Sequence, residues 1–299
     1  MRYRVRHLTE YTYQNTIYKG LNRAHILPSS IQGQNIINQI VEITPPPNSC
    51  TTSTDTYGNN FLYFVINEPH QSLKIDVISD IEIDYFAEFV MSDISVSEAL
   101  SYFNSNRCFS PEIEEFLGDS PLIPLSIEAT ALAAPFFTNQ KNCFVGCLNN
   151  FTEHVFDQFE YSPGFSSVST PIEEVLTHKK GVCQDFAHLS IAALRGLGIP
   201  ARYVSGYLET EPPPGQEKLI GADASHAWYE VLIPDKGWIG FDPTNNKLAG
   251  NQHIITARGR DYADVPPLQG IFFGNVGEQS MLVSVDVRKI DSEITTKSC

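Results

Sequence analysis

Residues 170–244 constrain the fold most, because two helical patterns give way, with almost no linker, to three strand patterns. Thr170-Pro171-Ile172-Glu173 reads as a capping box with proline at the first helical position. Ile172, Val175 and Leu176 form an apolar stripe, and His178-Lys179-Lys180 before Gly181 reads as a cationic last turn and a glycine stop. A second helix opens at once, with Phe186, Leu189, Ala193 and Leu197 on one face and Gly198-Ile199-Pro200 at its end. Strand-like runs follow at Ala201 to Leu208, His226 to Ile233 and Trp238 to Asp242. Pro234-Asp235-Lys236-Gly237 joins the last two as a tight hairpin turn.

The first ninety residues carry a different period. Arginines alternate with apolar residues in Arg2-Tyr3-Arg4-Val5-Arg6. Leu73, Ile75, Val77, Ile81, Ile83 and Tyr85 share one face of a long strand pattern, and Lys74, Asp76, Asp80, Glu82 and Asp84 share the other. That pattern fits one strand or two strands bent near Ser79. With the apolar run 61–66 and the turn Tyr57-Gly58-Asn59-Asn60, it predicts an antiparallel sandwich or open barrel over residues 1–90. Residues 91–299 form the second unit: a helical lead-in over about 91–165, the 170–244 segment, and C-terminal strands signalled by the alternating run Met281 to Val287. Within the lead-in, Leu148, Phe151, Val155 and Phe159 recur at helical spacing.

A chain of 299 residues buries its core without disulfides or structural metals. Lysine and arginine total 20 against 35 acidic residues, a net charge of −15. Such a surface argues against nucleic acid and anionic membranes as partners. The N-terminal residues lack the apolar core of a signal peptide, and no stretch is apolar enough to span a bilayer, so the expected location is cytoplasmic. The six cysteines are scattered without a CxxC pair and read as free thiols. Cys143 and Cys147, four apart, read as two small buried residues rather than half a metal site.

Cys183 follows a glycine and opens a helix, where partial positive charge and free N–H groups favour a thiolate and can support an oxyanion. His226 begins a strand, a rigid position from which to serve a thiol as acid and base. Asp242 ends the next strand, and hairpin pairing brings that end toward His226, where a carboxylate fixes an imidazole tautomer. Taken singly, each residue also has a structural reading: a buried small side chain, a packed histidine, a turn aspartate.

Four motifs resemble the bacterial transglutaminase-like superfamily. They are Gly181-Val182-Cys183-Gln184-Asp185-Phe186-Ala187-His188, then Gly198-Ile199-Pro200-Ala201-Arg202-Tyr203-Val204-Ser205-Gly206-Tyr207, then Asp223-Ala224-Ser225-His226-Ala227-Trp228, then Gly237-Trp238-Ile239-Gly240-Phe241-Asp242-Pro243-Thr244. Tyr3 to Tyr13, Leu27-Pro28 and Asp55-Thr56-Tyr57-Gly58-Asn59 resemble the β domain that precedes this core in bacterial members. The resemblance implies an α+β, papain-like transglutaminase core, its cysteine helix packed on an antiparallel sheet, behind a β-sandwich-like domain. It implies a Cys183–His226–Asp242 triad that attacks amide carbonyls and forms a thioester resolved by water or an amine. The partners it implies are a protein or peptide substrate and an amine acyl acceptor. No cofactor is expected, and the chain has no acidic calcium loop.

Several neighbours have narrower readings. Tyr161 or Gln184 is a candidate oxyanion donor, and Trp228 a candidate cleft wall, with core packing its commoner role. Asp185 is expected to accept backbone hydrogen bonds at the helix start. Zinc held by Cys183, His188 and His226 is the metal alternative to the triad. The loop Glu209 to Ser225 is a candidate cover for the site. The rival function is a protein-binding module that keeps the scaffold without its chemistry.

Overall fold

The computed structural model describes residues 1–84, 92–210, 225–234 and 236–290. Strand β1 (Arg2–Ile17) pairs antiparallel with β6 (His70–Ile83) over most of its length. Tyr3, Val5, His7 and Thr9 point inward and are buried. Arg2, Arg4 and Arg6 point outward and meet Glu82, Asp80 and Asp76. The acidic face of β6 thus pairs with the basic face of β1. Leu73, Ile75, Val77, Ile81 and Ile83 are buried, as their alternation predicts. β6 runs unbroken through Ser79, whose hydroxyl stays satisfied by the Gln39 amide at 3.0 Å, so the bent alternative is not realised. Tyr85 lies outside the described residues.

β3 (Gln34–Thr44) flanks β6, while β2 (Lys19–Ala24), β4 (Ser49–Thr54) and β5 (Asn60–Ile66) build a second sheet. Ile17, Phe64, Ile66, Leu73 and Ile75 form one core between the two sheets, a sandwich. The C-terminal strands correct the sequence grouping. β14 (Leu268–Phe273) pairs with β2, and β15 (Gln279–Lys289) with β1, so both belong to the N-terminal sheets rather than to the catalytic segment. The reason is backbone pairing: without them β1 and β2 would be open sheet edges.

The lead-in folds as helices α1 (Val96–Asn106), α2 (Pro111–Glu115), α3 (Ile127–Ala133) and α4 (Phe144–Gln158). Leu148, Phe151, Val155 and Phe159 are buried as expected. Cys147 is buried too, but Cys143 sits exposed at the helix start, its thiol 3.2 Å from the Ser92 carbonyl. The reading of both as buried therefore holds for Cys147 alone.

Helices α5 (Ile172–His178) and α6 (Cys183–Gly196) follow. The expected capping box does not form, because the Thr170 hydroxyl accepts from the Ser167 N–H at 2.8 Å instead. The left-handed stop is Lys179 (φ 50°), not Gly181. Gly181 is needed for space: a Cβ there would lie 2.8 Å from that of Asp185. Helix α6 is buried all round from Asp185 to Arg195 and packs on a five-stranded antiparallel sheet. That sheet runs β12 (Lys247–Leu248), β11 (Gly237–Asp242), β10 (Ser225–Ile233), β9 (Ala201–Leu208), β13 (His253–Gly259). A buried central helix on an antiparallel sheet is the expected α+β arrangement. No helix among the described residues is long and apolar enough to cross a membrane.

Candidate active site

Cys183 is the first residue of α6. Val182 before it is extended, and its N–H donates to Asp185 Oδ2 at 2.7 Å, which closes the first turn as the sequence suggests. The Ser166 hydroxyl donates to the same oxygen. Burial pushes the Asp185 carboxyl up, against the pull of these two donors.

His226 lies near the start of β10 and Asp242 ends β11. The pairing Tyr229↔Phe241, continued by one step, puts Asp242 opposite Trp228, so His226 is its diagonal neighbour on the same face. His226 Nε2 is 2.8 Å from Asp242 Oδ2. The Cys183 thiol is the imidazole's other neighbour and, like Asp242, favours the charged ring. Burial alone would depress His226; the bond to Asp242 and the nearby Cys183 outweigh it and raise its pKa to about 9.

Asp242 has no exposed surface and accepts five hydrogen bonds. Oδ1 takes the Thr244 and Asn245 N–H groups at 3.0 and 3.2 Å. Oδ2 takes His226, the Asn245 amide at 2.7 Å and His253 Nε2 at 3.1 Å. Burial pushes this carboxyl up, but the bonds from His226 and His253 hold it well below the usual carboxylate range. Asn245 and His253 carry no sequence signal: one lies in a turn, the other heads an edge strand, and both reach Asp242 only through the fold.

Comparison with known proteins agrees with this geometry. Residues 131–243 match the transglutaminase-like superfamily, and residues 3–82 match the bacterial transglutaminase-like N-terminal region. The chain belongs to the transglutaminase-like superfamily. An uncharacterized protein of Mycobacterium tuberculosis is 37% identical over 290 residues, 96% of this chain and 92% of that one. A protein-glutamine gamma-glutamyltransferase of Pseudomonas aeruginosa is 40% identical over 67 residues, 22% of this chain and 10% of that one. The crystal structure of a proposed cysteine protease from Cytophaga hutchinsonii superposes with a TM-score of 0.74 at 21% identity, covering 97% of this chain and 92% of that one.

Around this transglutaminase-like centre the other candidates separate. Tyr161 pairs with Gly181 across two short parallel strands, β7 (Glu160–Tyr161) and β8 (Lys180–Gly181), and is 53% exposed. Burial raises its phenol, and so, to a lesser degree, does the nearby Cys183. The Gln184 amide donates to the Val168 carbonyl at 3.1 Å, which uses one of its two N–H groups. Trp228 is fully buried and walls no open cleft. Its ring stacks on His226 with centroids 5.9 Å apart and meets His253 edge-on at 5.1 Å. Gly206 leaves the room, since a Cβ there would lie 2.6 Å from the indole. Residues 211–224 of the Glu209 to Ser225 loop lie outside the described residues.

The zinc alternative does not assemble. His188 Nε2 accepts the Tyr262 N–H at 3.2 Å and its ring packs on Tyr203, so it does not join Cys183 and His226. His226, Asp242 and His253 do converge, their ligand atoms within 4.8 Å of one another. His253 Nδ1, however, accepts the Gly250 N–H at 3.1 Å, so the proton of the neutral ring sits on Nε2 and leaves no lone pair there. The cluster is a hydrogen-bond network around a carboxylate.

Proposed function

We propose that this chain is a cysteine-nucleophile enzyme acting on amide carbonyls of proteins or peptides. The observation that carries this reading is the meeting of three groups: Cys183 at a helix start, His226 whose charged form that thiol favours, and a fully buried Asp242 bonded to the imidazole at 2.8 Å. The Cys183 sulfur attacks the carbonyl carbon while its proton resides on His226. Free N–H groups of the first turn of α6 face the developing oxyanion, and Tyr161 stands beside them. The carbon–nitrogen bond then breaks, His226 returns the proton to the departing amine, and a thioester remains. Water or a primary amine attacks the thioester with His226 as base, which regenerates the thiol. Asp242, with five donors, stays ionised and holds His226 in orientation.

The direct test is acyl-enzyme trapping. Glutamine-containing and other short peptides are offered with a fluorescent primary amine, and adducts on Cys183 and on the peptide are read by mass spectrometry. A Cys183 thioester, absent in Cys183→Ala, supports the reading; amine-labelled peptide indicates transamidation and free acid indicates hydrolysis. Alkylation of Cys183 no faster than that of exposed Cys50, Cys108 and Cys143 would favour a protein-binding module instead.

A further inference from the structure

The chain holds a second histidine on Asp242, and a route by which the N-terminal domain supports it. His253 heads β13, which forms the edge of the core sheet and pairs on one side with β9. The Gly250 N–H aimed at Nδ1 fixes the neutral Nε2–H tautomer, and that proton points at Asp242 Oδ2. The groups facing His253 are Asp242, His226 and Lys247, with the Trp228 ring edge against it. A neutral donor here tethers Asp242 without competing for its charge.

The other side of β13 has no neighbouring strand among the described residues. Two buried amides from the N-terminal domain take that place. Gln34 donates to the Ile255 carbonyl at 2.8 Å and accepts the Ile255 N–H at 2.9 Å. Asn59 donates to the Arg258 carbonyl at 2.6 Å and accepts the Arg258 N–H at 2.7 Å. Each amide reproduces the two-bond pattern of a strand residue. Asn59 is itself fixed by Asp55, which also accepts the Tyr57 and Asn59 N–H groups and so shapes the turn. Between Gln34 and the core sheet lies a cavity of about 210 Å³ lined in part by Trp238, Ala249, His253 and Arg258. Packing is therefore incomplete on that side of β13, and directional bonds hold its position there.

We propose that His253 is a positioning residue for the Asp242–His226 pair, held in register by Gln34 and Asn59 of the N-terminal domain. This rests on the catalytic reading above. It gives the N-terminal domain a role in the chemistry of the core: its amides set β13, β13 sets His253, and His253 steadies the carboxylate that orients His226.

The experiment compares wild type, His253→Leu, His253→Gln and Gln34→Leu. The rate of Cys183 alkylation by iodoacetamide is followed from pH 5 to 9 by peptide mass spectrometry. His253→Leu removes a buried bond to a charged group and is expected to slow alkylation at pH 7 by about 10-fold or more and to displace the pH profile. His253→Gln keeps a donor near the Nε2 position and should stay within about 3-fold of wild type. Gln34→Leu should fall between them. In parallel, ¹⁵N-histidine spectra of the wild type should show His253 as a neutral Nε2–H ring with two well-separated nitrogen signals. A folded His253→Leu protein with the wild-type pH profile overturns the proposal, as does an averaged or Nδ1–H ring at His253, which needs no variant to fold. If wild-type Cys183 reacts no faster than Cys50, the catalytic reading itself fails, whatever the tautomer of His253.

Discussion

Two aspartates show what surroundings do to the same side chain. Asp80, on the outer face of the sandwich, takes a two-pronged contact from Arg4 at 2.7 and 2.9 Å. Asp242, at the heart of the core, takes five neutral or cationic donors and has no exposed surface. Arg4 stands 56% exposed, so water competes for its contact and salt screens it. Nothing competes for Asp242. The sandwich uses charge to keep a sheet face soluble and in register; the core uses it to fix an imidazole. The difference teaches that the number of ion pairs says little about either region, and that the groups left unpaired on removal say most.

The largest effects should come from the core. Cys183→Ala is expected to abolish thioester formation while leaving the melting temperature near wild type, since the thiol is only partly buried. Asp242→Asn should lower the acylation rate by roughly 10³-fold or more, with less total loss than Cys183→Ala. An amide placed there must turn its NH₂ toward either two backbone N–H groups or the Asn245 and histidine donors. Either choice leaves donors facing donors, so unfolding should also show a loss of about 1–3 kcal/mol. An Asp242→Asn protein with wild-type rate and stability would break the contrast.

Next comes a buried cluster without catalytic duty. Glu230 on β10 is 3% exposed and accepts from Arg202 and from Arg258, the residue that Asn59 clamps. Burial pushes Glu230 up, but the two arginines outweigh it and keep it below its ordinary value. Glu230→Gln would take the charged partner from Arg258 and leave Arg202 with the more distant Glu112 at 3.7 Å, and should cost about 3–5 kcal/mol in denaturant unfolding. A loss that small surface pairs could match would mean that water reaches Glu230 more freely than its burial indicates.

The pH dependence separates the histidine from the rest. His226 titrates in the folded state at about 9, above its ordinary value. Its stabilisation is therefore full below about pH 6.5 and is lost as the pH rises through about 9. Denaturant titrations at pH 6, 7.5 and 9 should show wild type losing stability relative to His226→Ala across that window. Parallel curves would remove the ion-pair account of the site.

Legibility in the sequence followed sequence distance. The helix start at Cys183, the hairpin 225–242 and the approach of His226 to Asp242 depend on neighbours within a few turns, and local pattern carried them. Period two in β1 and β15 was equally clear, but not that Arg4 and Arg288 would stand opposite each other. Partner choice between strands lying that far apart leaves no local mark. His253, Asn245, Gln34 and Asn59 escaped for the same reason, since each acts on a residue brought to it by the fold. The Thr170 box failed through competition, because the Ser167 backbone N–H on the preceding side claimed the hydroxyl.

The smallest expected effect lies on the sandwich. Arg4→Ala removes a two-pronged pair of the outer ladder, yet it should cost less than about 1 kcal/mol, and less again at 0.5 M salt. The Arg2–Glu82 and Arg6–Asp76 pairs on either side would persist, and Asp80, relieved of its partner, can turn to water. An Arg4→Ala/Asp80→Ala cycle isolates the pair itself, which should fall within about 0.2–1 kcal/mol for cross-strand neighbours. Coupling several times that size would show the ladder acting as a network, in which each arginine steadies the next pair. The sandwich face would then resemble the Glu230 cluster, and the line drawn between the two regions would have to move.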